Sequence, residues 1–205
     1  MAKMMKRIAL VSFLSMLVFI VLYKLTASDM VFTFAITSGT IAYHFIMRLI
    51  VGGLFQLVMH NKTDYTKKWF QVSKSELKLY EKLKVKKWKN KMPTYDADVF
   101  DVKKHSWEEI IQAMCQAELV HEVIVIWSFL PIVASVCFGA LGVFMITSVL
   151  SAFFDLMFVC MQRFNRSRIM KIVEKQWRHK YVVDVHNIHE LCAHNHVPQM
   201  SHTCA

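Results

Sequence analysis

Three stretches of this chain carry no Lys, Arg, Asp or Glu: Ile8 to Tyr23, Met30 to Met47 and Val123 to Phe154. No other feature limits the fold as strongly. A helix that crosses the hydrocarbon core of a bilayer needs about 20 mostly apolar residues, so with their apolar flanks the first two stretches supply one crossing each and the third supplies two. A water-soluble helix would show polar residues every three or four positions opposite its apolar stripe, whereas Ile8 to Leu22 offers only Ser12 and Ser15. The expected architecture is an all-α integral membrane bundle of four transmembrane helices, at about 8–25, 30–51, 119–138 and 140–161. A basic, partly helical cytoplasmic or interfacial region over about 60–117 joins the second helix to the third. One membrane domain over 1–180 and a polar, His-rich tail over 181–205 complete the expected organisation. Lys3, Lys6 and Arg7 precede the first apolar run as they would in a secretory signal, but the small residues after Leu25 imitate a cleavage site only in part. A second apolar run follows at once, so the first is expected to stay as a helix.

The chain is basic as well as apolar, with 25 Lys and Arg against 15 Asp and Glu. Short flanking segments rich in Lys and Arg resist translocation, which sets orientation. Lys3, Lys6 and Arg7, the lysines between Lys62 and Lys91, and the run Arg163, Arg166, Arg168 and Lys171 all belong on one side by this rule. The connection after the first helix holds only Lys24, and the turn from Gly139 to Gly142 holds no charge. The expectation is a multi-pass protein of the cell membrane with both termini in the cytoplasm. In the central region Trp69, Phe70, Leu77, Leu79, Tyr80, Leu83, Val85 and Trp88 interleave with the lysines. That pattern suits a helix lying at the interface with aromatic rings at headgroup depth and Lys toward anionic lipid, and also a solvated cytosolic subdomain. Ser106 followed three residues later by Glu109 has the form of a capping box opening a further helix.

Two constellations could carry chemistry. Glu118 and His121 are three residues apart on one helix face near the membrane boundary. A carboxylate beside an imidazole fixes its tautomer and raises its basicity, as a general base acting on a hydroxyl requires. The same residues, with Glu122, would equally serve as the polar end of a membrane helix. After the fourth helix, Arg163, Arg166 and Arg168 alternate with Gln162 and Asn165, which form directional hydrogen bonds. Arg binds phosphate or carboxylate through two parallel bonds, so the cluster is a candidate for anion or headgroup binding; a stop-transfer anchor would need only the charge. The assumed topology brings both constellations to one membrane level. His44 and Arg48, four residues apart in the second helix, lie toward the same side, where ionisable groups in a membrane helix usually point inward; an arginine there can also snorkel to the headgroups. Asp155 is an intramembrane carboxylate whose simplest partner is Arg48 or His44.

The tail holds His186, His189, Cys192, His194, His196, His202 and Cys204, without a finger or His-Glu-x-x-His spacing, and no metal is expected. The five cysteines are odd in number and scattered, so no disulfide framework is implied. No phosphate-cradling Gly-rich loop, nucleophile elbow or dinucleotide fingerprint is present, and the positive charge is explained by membrane and lipid rather than by nucleic acid.

Three motifs, Val85-Lys86-Lys87-Trp88-Lys89-Asn90-Lys91, Ala117-Glu118-Leu119-Val120-His121 and Gln162-Arg163-Phe164-Asn165-Arg166-Ser167-Arg168, occur in order over roughly residues 65–175. In these motifs the chain resembles the glycosyl-4,4′-diaponeurosporenoate acyltransferases, bacterial membrane proteins of carotenoid pigment synthesis. Ser167 stands where a Pro is expected, a change of backbone stiffness more than of ligand chemistry. The resemblance implies an O-acyltransferase that moves a fatty acyl group to a sugar hydroxyl on a glycosylated membrane lipid or carotenoid-type acceptor. It implies no bound cofactor, the acyl donor, acyl-CoA for instance, being a co-substrate. His121 would take the hydroxyl proton with Glu118 orienting it; Arg163, Arg166 and Arg168 would hold donor phosphates or acceptor oxygens; Trp88, Lys89 and Lys91 would act at headgroup level. Two alternatives remain open on sequence alone: a non-enzymatic protein binding anionic lipid or a partner enzyme, and another lipid-modifying transferase on the same scaffold. Oligomeric state is not legible.

Overall fold

The structure is a computed structural model that describes residues 2–88 and 98–194. Six α-helices order the chain: α1 (Ala2–Thr26), α2 (Asp29–Met59), α3 (Lys74–Lys82), α4 (Trp107–Trp127), α5 (Leu130–Phe138) and α6 (Leu141–His194). Short 3-10 turns lie at Lys68–Phe70, Val85–Lys87 and Asp98–Phe100, and no strand occurs among the described residues. Four helical segments are long and apolar enough to cross a membrane: Lys3–Thr26, Asp29–Met59, Trp107–Phe138 and Leu141–Gln176. Their outward surfaces are apolar. Leu57, Ile126 and Val136 are 74%, 71% and 87% exposed, an arrangement that water would penalise and hydrocarbon would not.

Several helices run further than the sequence suggests. The helix opened by Ser106 does not stop before a separate third span; α4 runs on from Trp107 through it, because no Gly or Pro interrupts the chain until Pro131. Both halves of the Ser106–Glu109 capping box are formed. Pro131 has no N–H to give to the carbonyl of Trp127, and the helix breaks there into α4 and α5. The Tyr43 hydroxyl donates to that Trp127 carbonyl at 2.9 Å, so the break does not leave it bare in the apolar layer. Gly139 at φ +67° makes the turn into α6, a conformation that suits a residue without Cβ. Beyond Gly142 no Gly or Pro appears until Pro198, and α6 passes the expected end near 161.

The chain divides into two compact units, Met1–Ser167 and Arg168–Ala205. In the second, Arg178 donates to Glu174 one turn earlier at 2.9 Å. In the first, α1 packs along α2: a Cβ on Gly39 would come 2.9 Å from Met16 Sδ, Ser15 and Ser38 hydroxyls lie 3.4 Å apart, and Phe19 stacks on Phe34 at 5.6 Å. α2 meets α4 through Gln116, which accepts from the Asn61 N–H at 2.7 Å and donates to Gln56 at 3.1 Å. As α4 advances from Glu118 through His121 to Ser128, its partners on α6 recede from Arg166 through Asp155 to Ser151, an antiparallel register. The region between α2 and α4 is not one flat interfacial helix. Tyr80 and Val85 are buried with Phe158, Met161 and Phe164 of α6, while Trp69, Leu79 and Leu83 stay exposed.

Candidate functional site

α4 and α6 carry two adjacent polar layers, and each sorts its charged groups differently. In the first, Glu118 is fully buried. Its carboxylate accepts one hydrogen bond from Arg163 Nη1 at 2.5 Å and another from Arg166 Nη1. Arg166, also fully buried, donates through Nη2 to the Phe70 carbonyl at 2.7 Å and lies 5.2 Å from the Phe70 ring centroid. Arg163 donates to Glu76 Oε1 at 2.6 Å and to the Trp69 and Gln71 carbonyls at 3.1 and 3.3 Å. Two guanidinium groups therefore tie the 69–71 segment and α3 to the bundle around one carboxylate. Buried charges survive only when paired and hydrogen-bonded; both guanidinium groups pair with Glu118, while Arg166 Nε has no partner among the described residues.

Glu76 reaches this layer because Ser73 caps α3. Ser73 accepts from the Glu76 N–H and Glu76 Oε2 accepts in return from the Ser73 N–H at 3.3 Å, leaving Oε1 for Arg163 and for Tyr80, whose hydroxyl donates at 2.5 Å. Burial pushes the Glu76 carboxyl up, but the hydrogen bonds from Arg163 and Tyr80 outweigh it, and the carboxyl sits below its ordinary range. The Tyr80 hydroxyl is pushed up, first by burial and then by donating to Glu76.

The second layer centres on His121 and Asp155. His121 Nδ1 lies 2.9 Å from Asp155 Oδ1, and the other oxygen of Asp155 accepts from Arg48 Nη2. Arg48 also donates to Ser151 Oγ at 2.8 Å and, through Nη1, to the His44 carbonyl at 3.1 Å. The tautomer that donates from Nδ1 to Asp155 leaves the Nε2 lone pair open. Nε2 has no hydrogen-bond partner among the described residues, and the side chain is 22% exposed. The Phe158 ring stacks on the imidazole at 4.6 Å and 4°, which holds its plane. A positioned imidazole with a buried carboxylate behind it and an open nitrogen in front has the parts of a general base.

The sequence reading paired His121 with Glu118, and here the structure corrects it. Three residues on one helix are neighbours, but Glu118 turns to the two arginines and His121 to Asp155, because α6 presents positive charge at one layer and negative charge at the next. Asp155 does pair with Arg48, and so Arg48 points into the bundle rather than toward headgroups. Arg163 and Arg166 are taken up by Glu118, Glu76 and backbone carbonyls, so the anion-binding face expected of them is turned inward. Gln162 is buried and Asn165 half-buried beside them; Arg168 belongs to the second unit. Trp88 packs against the Tyr80 and Phe164 cluster instead of standing apart at the surface. His44 is buried, and neither ring nitrogen has a hydrogen-bond partner among the described residues. Lys89 and Lys91 lie outside the described residues, as do 195–205 of the tail. Among the described residues no group of three or more His, Cys, Asp or Glu could hold a metal ion. Sequence reasoning passed over Glu76, whose signal was the Ser73-x-x-Glu76 capping box.

The family profile of glycosyl-4,4′-diaponeurosporenoate acyltransferase matches residues 66–175, more than half of the chain. The chain belongs to this family. The matched segment contains α3, α4, α5 and both polar layers except Arg48, and membership implies an acyltransferase of the carotenoid pathway. No curated protein and no solved structure matches the chain.

Proposed function

We propose that this protein is a membrane O-acyltransferase that moves a fatty acyl group onto a sugar hydroxyl of a glycosylated, carotenoid-type membrane acceptor, with His121 as the general base. The observation that carries the reading is the His121 Nδ1 to Asp155 Oδ1 contact of 2.9 Å, with Nε2 unpartnered among the described residues. An acceptor hydroxyl at Nε2 gives up its proton as its oxygen attacks the carbonyl carbon of the acyl donor. A carbon–oxygen ester bond forms, the bond to the donor's leaving group breaks, and the proton passes from Nε2 to that leaving group. Asp155 stabilises the imidazolium between those moments, and Arg48 holds Asp155 in place. The donor is a co-substrate such as acyl-CoA. The apolar surfaces of the helices supply the setting in which a lipid-like acceptor reaches this layer from the bilayer.

The basic segments favour an orientation in the cell membrane with both termini and the residue 60–106 region in the cytoplasm. Reporter fusions at the Gly139 to Gly142 turn test it: an extracytoplasmic signal is expected, and a cytoplasmic signal overturns the orientation. For the reaction, the purified full chain is supplied with acyl-CoA and a glycosyl-carotenoid extract and the lipids are weighed by mass spectrometry. An ester product heavier by one acyl group is expected from the wild type. Absence of any acylated product across donors of several chain lengths contradicts the reading.

A further inference from the structure

A cavity of about 300 Å³ opens on the first polar layer, away from His121. Its lining includes Lys62, Thr63, Lys67, Trp69, Phe70 and Leu119. Leu119 and His121 are two positions apart on α4, about 200° around a helix, so the cavity and the imidazole occupy different flanks.

The polar groups of this cavity are unevenly spent. The Met59 carbonyl accepts from the Lys62 N–H at 2.7 Å, and Asp64 Oδ1 accepts from the Thr66 N–H at 3.0 Å and hydroxyl at 2.6 Å; these bonds and the nearby Lys67 hold the exposed Asp64 carboxyl below its ordinary range, so its negative charge stays in the lining and offsets one of the two lysines. The Trp69 and Phe70 carbonyls accept from Arg163 and Arg166. Three donors remain. Neither Lys62 nor Lys67 forms an ion pair among the described residues, and Thr63, only 7% exposed, has a buried Oγ1 with no hydrogen-bond partner. A buried hydroxyl without a partner costs stability, and no hydrogen bond among the described residues offsets it.

We infer that this cavity is a phosphate-binding subsite in which the Thr63 side chain, rotating about Cα–Cβ to bring its buried Oγ1 to the cavity, donates to a phosphate oxygen and Lys62 and Lys67 neutralise its charge. The arginine layer builds its wall rather than its ligands, since Arg163 and Arg166 fix the 69–71 segment. The phosphate belongs either to the headgroup of an anionic lipid or to a soluble phosphate ester. The cavity is independent of His121 and of the reaction proposed above.

Binding is measured by calorimetry on the full chain in phosphate-free detergent, with short-chain phosphatidic acid and with coenzyme A as separate probes and diacylglycerol as the phosphate-free control. At least one phosphate probe is expected to bind and diacylglycerol not to compete. Thr63→Val is expected to weaken that probe by about tenfold, the worth of one hydrogen bond to a charged group. Joint replacement Lys62→Gln and Lys67→Gln is expected to weaken it further, while Lys78→Gln with Lys82→Gln, on the exposed face of α3, leaves it unchanged. Loss confined to phosphatidic acid assigns a lipid headgroup, and loss confined to coenzyme A assigns a soluble ester. Wild-type binding of both probes by the cavity variants overturns the inference, as does equal weakening by the α3 pair. Because the hydroxyl has no partner in the fold, Thr63→Val without ligand is expected to melt no earlier than wild type; earlier melting also overturns the inference.

Discussion

His121 and Asp155 meet across the α4–α6 interface, with Nδ1 2.9 Å from Oδ1 and the carboxylate buried to 1% exposure. Thirty-four positions separate them in the chain, and the antiparallel register of the two helices closes that distance. Arg48 from α2 completes the arrangement from a third helix, so the imidazole is positioned by the bundle and not by its own helix neighbours.

In the proposed reaction Asp155 acts by positioning, and its charge and its reach can be separated. Asp155→Asn deprives Arg48 of its counter-charge and is expected to lower both thermal stability and turnover. Asp155→Glu keeps the charge while displacing the carboxylate by one methylene. It is expected to melt close to wild type yet turn over about tenfold more slowly, with KM for the donor unchanged. Full kcat in Asp155→Glu would mean that the carboxylate serves Arg48 alone.

Glu118 has a different expected signature. Glu118→Gln leaves the fully buried Arg166 with no carboxylate and Arg163 with Glu76 alone, a loss of about 3–5 kcal/mol. Thermal unfolding in detergent is the readout, and a marked drop in Tm is expected. An unchanged Tm with lost activity would return Glu118 to the catalytic role that its spacing from His121 suggests.

Glu76 makes the α3 attachment sensitive to acid. Its folded carboxyl lies below the ordinary value of 4.5, so the stability it contributes is fully present above that value. It is lost as pH falls from about 4.5 through the lower folded value. The Tm difference between wild type and Glu76→Gln is therefore expected to be constant from pH 7 to about 5 and to shrink below it. A difference that grows on acidification would contradict the assignment.

His44 gives an opposite sign to most buried polar residues. Both of its ring nitrogens are buried without a partner, so His44→Leu is expected to hold or raise Tm, by the equivalent of about 1 kcal/mol. A clear fall in Tm would show that the ring is satisfied in the native protein.

The sequence makes the four spans legible because an uncharged run is a one-dimensional signal that does not depend on partners. Helix ends were less legible. α4 begins at Trp107 and α6 runs past Gln176, since a helix stops where a breaker stands and not where hydropathy falls. The residues of the candidate site are visible in the sequence, but their pairing is not. His121, Glu118, Arg48, Asp155, Arg163 and Arg166 all stand out as ionisable groups at the ends of apolar runs, yet which carboxylate faces which cation depends on the rotation of α6 against α4. Spacing on one helix favours Glu118 for His121, and tertiary register gives Asp155 instead. Glu76 escaped notice because a capping box explains a glutamate completely until a second partner is seen.

The most direct measurement is the lipid profile of cells carrying wild type, His121→Gln or no protein, at matched membrane expression. Wild type alone is expected to accumulate an acylated glycosyl-carotenoid-type lipid, and His121→Gln to lose it by about 10²-fold or more while keeping wild-type Tm. An acylated product formed by His121→Gln at the wild-type level would contradict the assignment of His121 as the base.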